Sequence, residues 1–222
     1  MKLRFAAGWV TALLLGLSAC GGSGGDAAIA PWALGEQPNF SGTIVDWAKG
    51  DAIAPGGGAL FASVYPDIDV GFGQVAADGS FTFGLQRIAP DAAWLAVPVE
   101  ECPEMSVANP QQKVASVDVI EVPGLYEDGR HARPGGAVLI LTRPFSPMAE
   151  REGYSFVYAS AAGAIAGSCS FEGYGVLFDL DLRQGWNAVR IDTSMSGMSF
   201  TTAAIPAAAK WYFVNPLTVP AE

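Results

Sequence analysis

The sequence predicts an all-β fold, arranged as two small antiparallel β-sandwich domains behind a signal peptide and a flexible tether. Three observations lead there. Apolar and polar residues alternate over short runs, the period of strands with one buried face. Turn dipeptides such as Asp78-Gly79, Glu172-Gly173 and Gln184-Gly185 separate those runs. After residue 20, no helix-period segment longer than about two turns stands out. Half of the 222 residues are hydrophobic and only 15% are charged, so there is material for a core, and disorder is not expected beyond the tether.

In chain order, Lys2 and Arg4 form a short positive region ahead of a mostly apolar run, Phe5 to Leu17. That run has the length of a signal-peptide core and is too short to span a bilayer stably. It ends in Leu17-Ser18-Ala19-Cys20, and the four residues resemble the lipobox of bacterial lipoproteins. The resemblance implies removal of residues 1–19 and attachment of diacylglycerol to the Cys20 sulfur; an ordinary secretory signal with a chance cysteine is the alternative. Gly21 in place of aspartate after the acylated cysteine implies, by the same resemblance, the outer membrane where the organism has one. Residues 20–35 hold the lipidated cysteine and a Gly-rich tether, flexible by composition.

The full chain carries a net charge of −10, and residues 1–19 hold Lys2 and Arg4 but no acid, so a processed chain would carry about −12. Such a surface offers no electrostatic footprint for nucleic acid or anionic headgroups. Membrane attachment therefore falls to acyl chains, each buried methylene contributing about 0.8 kcal/mol. With Cys20 acylated, Cys102 and Cys169 remain as an even pair in an oxidising compartment. A disulfide between them would add roughly 4 kcal/mol by chain entropy; two buried free thiols are the competing reading.

Residues 36–100 predict the first sandwich, with strands at Phe40–Trp47, Leu60–Tyr65, Val70–Ala76, Ser80–Leu85 and Ala93–Val99. Phe81, Phe83 and Leu85 share one face, and Asp78-Gly79 suits a two-residue type I′ hairpin. The segments Gly42-Thr43-Ile44-Val45, Leu60 to Val64 and Asp78-Gly79-Ser80-Phe81-Thr82-Phe83 resemble the carboxypeptidase regulatory-like, transthyretin-like sandwich. That resemblance implies a non-catalytic accessory module and transfers no functional residue. Residues 101–112, with two prolines and Cys102, read as a connector.

Residues 113–222 predict the second sandwich. Lys113–Val122 is a possible strand whose alternation breaks at Val119-Ile120. Pro123 to Gly136 reads as a polar loop holding His131, the only histidine. Ala137–Thr142 is a continuous apolar run expected to be buried on both faces. Tyr154 to Asp192 reads as a four-strand antiparallel meander. Within it Tyr154, Phe156 and Tyr158 share a face, and Val176, Phe178, Leu180 and Leu182 oppose Asp179 and Asp181. The pattern Tyr154-x-x-x-Tyr158, followed by Asp179-Leu180-x-Leu182-x-x-Gly185-Trp186-Asn187-x-Val189, resembles a stretch of uncharacterised bacterial envelope lipoproteins and implies no activity. Met198–Ala204 and Lys210–Val214 are the closing strands.

Chemistry is sparse. One histidine excludes zinc sites built on several imidazoles, and neither H-E-x-x-H nor C-x-x-C is present. The G-x-S-x-G at residues 21–25 lies in the tether, not on a strand-to-helix turn. Asp67/Asp69 and Asp179/Asp181 each place two carboxylates on one strand face, a start for calcium or acid-base chemistry; a turn and a solvated strand face are their plainer readings. Trp47, Trp94, Trp186 and Trp211 fall on predicted strands, where aromatic residues are usually core, although an exposed platform would stack sugar rings.

The expectation is a lipid-anchored bacterial envelope protein acting as a non-catalytic binding or structural module, without cofactor, metal or catalytic residue. Its partners would be the membrane, through the lipid, and a glycan or envelope protein. A carboxylate-based hydrolase, for example one acting on glycans, is the alternative.

Overall fold

The computed structural model describes residues 30–45, 47, 57–64, 68–96, 102, 104–125, 132–142, 151–171 and 174–214. Cys20, Asp67, Glu127, Asp128 and His131 lie outside them. The described chain is all-β and contains no helix. It is not two sandwiches: eight strands close into a barrel, and further strands extend from its wall.

The first strands are β1 (Ala33–Gly35), β2 (Asn39–Val45), β3 (Gly57–Val64), β4 (Ile68–Ala76) and β5 (Ser80–Leu85). The connector supplies a two-residue β6 (Ser106–Val107), followed by β7 (Val114–Leu125) and β8 (Ala132–Leu141). Then come β9 (Arg151–Ala159), β10 (Gly163–Phe171), β11 (Tyr174–Leu182), β12 (Gly185–Ser194), β13 (Gly197–Thr202) and β14 (Lys210–Val214). The ring runs β2–β5–β4–β3–β7–β9–β8–β14 and closes where Trp211 and Tyr212 pair in parallel with Ile44 and Val45. The two halves expected to be separate thus share one wall and one core.

The interior follows from the alternation. Leu60, Ala62 and Val64, then Phe81, Phe83 and Leu85, point inward and are buried. Phe40, Phe81, Phe83 and Phe156 pack around Trp211, with ring centroids 4.7–6.5 Å from it. Room for these rings comes from small residues opposite: a Cβ on Gly73 would collide with the Thr82 carbonyl oxygen, and one on Gly71 would meet the Phe83 ring at 2.7 Å. The broken alternation in β7 is a bulge. Ser63 pairs with Val119 and Val64 with Val117, skipping Asp118, so Val117 and Ile120 are both buried. The β4–β5 loop has three residues, not the two expected. The Gly79 N–H bonds to the Ala76 carbonyl at 2.9 Å, and Gly79 sits at φ +83°, where glycine is favoured.

The expected meander is corrected. β9 pairs with β12, β12 with β13, and β13 in parallel with β11, whose other neighbour is β10. The β10–β11 hairpin is thereby pushed outward, and Phe178 of β11 stacks on Phe200 of β13 at 5.2 Å. β9 is the reason for this layout, because both of its faces are apolar. Tyr154, Phe156 and Tyr158 enter the barrel core, while Val157 and Ala159 enter a second core with Ile165, Leu180, Leu182 and Val189. Predicted strand Ala93–Val99 is instead turns, with Ala92 bonded to Ala89 and Leu95 to Ala92, and a single bridge from Ala96 to Val114; residues 97–100 lie outside the description. Residues 123–125 and 132–136, expected in a loop, belong to β7 and β8.

Cys102 and Cys169 are bonded, with Cα atoms 5.2 Å apart across a sequence separation of 67. The bridge fastens the connector, and with it β6, to β10 at the sheet edge.

Candidate functional site

The barrel wall is apolar inside and polar outside along β2, β5 and β4. Ser41, Thr82 and Gln74 form one cross-strand row on the outer face, and Asn39, Gly84, Phe72 and Phe61 form the next. Polarity of this sense is the reverse of a membrane-spanning barrel, which turns an apolar band outward.

The second row builds a groove. Gly84 contributes no side chain, and the Asn39 carboxamide lies over it, its Oδ1 2.5 Å from where a Cβ would stand, while Phe72 flanks the same place from the next strand. The space is open to solvent and measures about 550 Å³. Gln37, Gln74, Thr82 and Gln86 complete its polar rim. Phe72 is 42% exposed, and its ring meets Phe61 edge-on at 5.7 Å, which fixes its orientation. Among the described residues no ionisable side chain lines the groove. At its end Arg87 and Glu36 pair at 2.9 Å and cancel each other's charge.

A smaller cavity, about 210 Å³, sits where β7, β8 and β9 meet. β7 pairs with β9 through Val114–Ser116 and with β8 from Glu121 onward, which leaves a gap between. Val117, Ile120, Val138 and Ile140 line it, with Tyr154 beside them. Burial, and then a 3.0 Å hydrogen bond donated to Glu152, push the Tyr154 hydroxyl up to about 12. Tyr158 is raised chiefly by burial; its hydroxyl donates to the Ile88 carbonyl at 2.6 Å. Asp78, by contrast, is held below the usual carboxylate range by hydrogen bonds from the Ser80 hydroxyl and backbone N–H.

Of the sequence candidates the structure brings Cys102 and Cys169 together, while the described aspartates form no cluster. Asp69 is exposed, Asp179 is exposed, and Asp181 accepts a hydrogen bond from Arg183 at 3.1 Å. Among the described residues no group of three or more His, Cys, Asp and Glu side chains is placed to hold a metal ion. The tryptophans form no platform. Trp186 is fully buried and donates to the Gln86 carbonyl, Trp211 sits among the barrel phenylalanines, and Trp47 and Trp94 pack against the same core. Among the described residues the exposed ring is Phe72. No single run signals it, because the groove exists only in the register of four strands. Compared with protein-family models, curated proteins and solved structures, the chain matches none.

Proposed function

We propose that this chain is a lipid-anchored, non-catalytic binding module of the bacterial envelope, which presents its groove at a membrane surface. The observation that carries the reading is the open groove beside Phe72. A half-exposed ring, rim amides and an absence of ionisable side chains suit recognition better than acid-base work. The Asp179/Asp181 pair lends the hydrolase alternative no support, since Asp181 is engaged by Arg183 and Asp179 lines neither cavity. Anchoring rests on the lipobox resemblance at Cys20. The ten residues from Gly21 to Ala30 would reach about 35 Å when extended. The chain is then fastened by the Trp32 indole, which donates to the Asp181 carbonyl at 2.8 Å.

Two measurements test the reading. Cys20→Ser releases the protein from membranes; a mutant that fractionates like the parent ends the anchoring claim. Hydroxyl-radical footprinting of Phe72 in intact cells and in purified protein reads occupancy, with Met195, 99% exposed, as internal reference. Oxidation of Phe72 relative to Met195 is lower in cells if the groove is filled there. Equal ratios count against the binding role.

A further inference from the structure

We infer that the groove takes a neutral glycan, with one pyranose face on Phe72 and its hydroxyls among the rim amides. The inference rests on the binding-module reading and names its ligand class. Four features of the wall point to this chemistry.

The first is charge. Among the described residues no lining side chain is ionisable, the nearby Arg87–Glu36 pair is self-neutralised, and the chain as a whole carries −10. An anionic ligand would meet overall repulsion with no cation to receive it, and a cationic ligand would find no lining carboxylate. The second is the lining itself. Gln37, Asn39, Gln74 and Gln86 each offer a carbonyl and an amide group, and Thr82 adds a hydroxyl. That set satisfies groups which both donate and accept, as sugar hydroxyls do. An acyl chain would desolvate these amides without replacing their hydrogen bonds.

The third is backbone supply. β5 is paired on both sides, with β2 and with β4, so its N–H and C=O groups are already used. An extended peptide cannot add here as a further strand. The fourth is shape. Gly84 leaves a shallow place in the wall that the Asn39 carboxamide partly covers, its Oδ1 2.5 Å from the Gly84 Cβ position, with Phe72 beside it on the neighbouring strand. Phe72, 42% exposed and in T-shaped contact with Phe61, offers apolar surface there, and the Asn39 amide donates to the Gln37 carbonyl at 3.3 Å.

The test uses the full chain carrying Cys20→Ser, labelled with ¹⁵N. It is titrated separately with maltohexaose, cellohexaose, N-acetylated chitohexaose, an oligogalacturonate of equal length and a pool of neutral hexapeptides. The expected result is that at least one neutral hexasaccharide shifts the side-chain amides of Gln37, Asn39, Gln74 and Gln86. Phe72→Ala should then weaken binding about tenfold or more, about 1.4 kcal/mol. Gly84→Val, whose side chain would displace the exposed Asn39 carboxamide from over residue 84, should abolish binding while leaving the melting temperature near the parent's. Shifts caused only by oligogalacturonate or peptides overturn the glycan class and leave the binding module standing. Silence of the groove amides toward every probe overturns both. Undiminished sugar binding in Gly84→Val, with the fold intact, moves the site elsewhere and overturns the inference.

Discussion

The barrel and the sheet that leans on it bury themselves by different means. The barrel gathers Phe81, Phe83, Phe156, Tyr158 and Trp186 into one core and closes on itself, leaving its ring without free edges. The flanking sheet has Val157, Ala159, Ile165, Leu180, Leu182 and Val189, with no aromatic residue among its buried members. Leu177 on its outer face is 53% exposed. What the sheet lacks in buried area it takes from a covalent bond, Cys102–Cys169, and from a strand it shares with the barrel. The lesson is one of scale. A ring of strands stabilises itself through its interior, whereas an open sheet with a thin core depends on its fastenings.

That contrast is open to attack at several points. The largest effect is expected from Trp186→Ala, at about 3–5 kcal/mol. The indole is fully buried, packs on Tyr158 at 5.5 Å and donates to the Gln86 carbonyl. Its loss opens a cavity and orphans that carbonyl, and urea unfolding should show the whole barrel weakened. Replacing Cys102 and Cys169 together with alanine should cost about 2–4 kcal/mol. Hydrogen exchange should then quicken in β6, β10 and β11 while β3, β4 and β5 stay protected; uniform quickening would show that the two regions unfold as one. Gly73→Ala should cost about 1–3 kcal/mol by overpacking against the Thr82 carbonyl, with the loss read from the thermal midpoint and confined to the barrel.

The smallest effect is in the pH dependence. The Tyr154 hydroxyl sits at about 12 in the folded chain, against about 10 for an unfolded tyrosine. The folded state therefore holds its proton longer. The associated stability is complete below about pH 10 and is lost as pH rises toward 12. Tyr154→Phe should flatten part of that alkaline decline in urea midpoints measured at pH 8 and pH 11. A residual slope is expected from Tyr158, which is raised as well. An unchanged slope would place Tyr154 outside the linkage.

The strands were largely legible in the sequence because alternation reports a buried face directly. β5 falls on Ser80–Leu85 as expected, and the irregularity at Val119-Ile120 marks the β7 bulge. Partner choice was not legible. Nothing local in Gly197–Thr202 says that it will lie parallel to β11 and separate it from β12. The short β1 and β6 carry too few residues for any period. The apolar Tyr154, Phe156 and Tyr158 face was visible, but the opposite face, Val157 and Ala159, looked like ordinary strand interior; its burial in a second core shows only in three dimensions. The groove was hidden for the same reason. Asn39, Gly84, Phe72 and Phe61 are far apart in the chain and become neighbours through hydrogen-bond register.

The parallel pairing of β14 with β2 sets the order in which the molecule can be completed. Ile44 waits for Trp211, so a chain emerging amino-terminus first from a ribosome exposes this edge of β2 until β14 follows. Contacts of such long range slow the search for the native state. The ring thus stays open until β14 is out and pairs with β2.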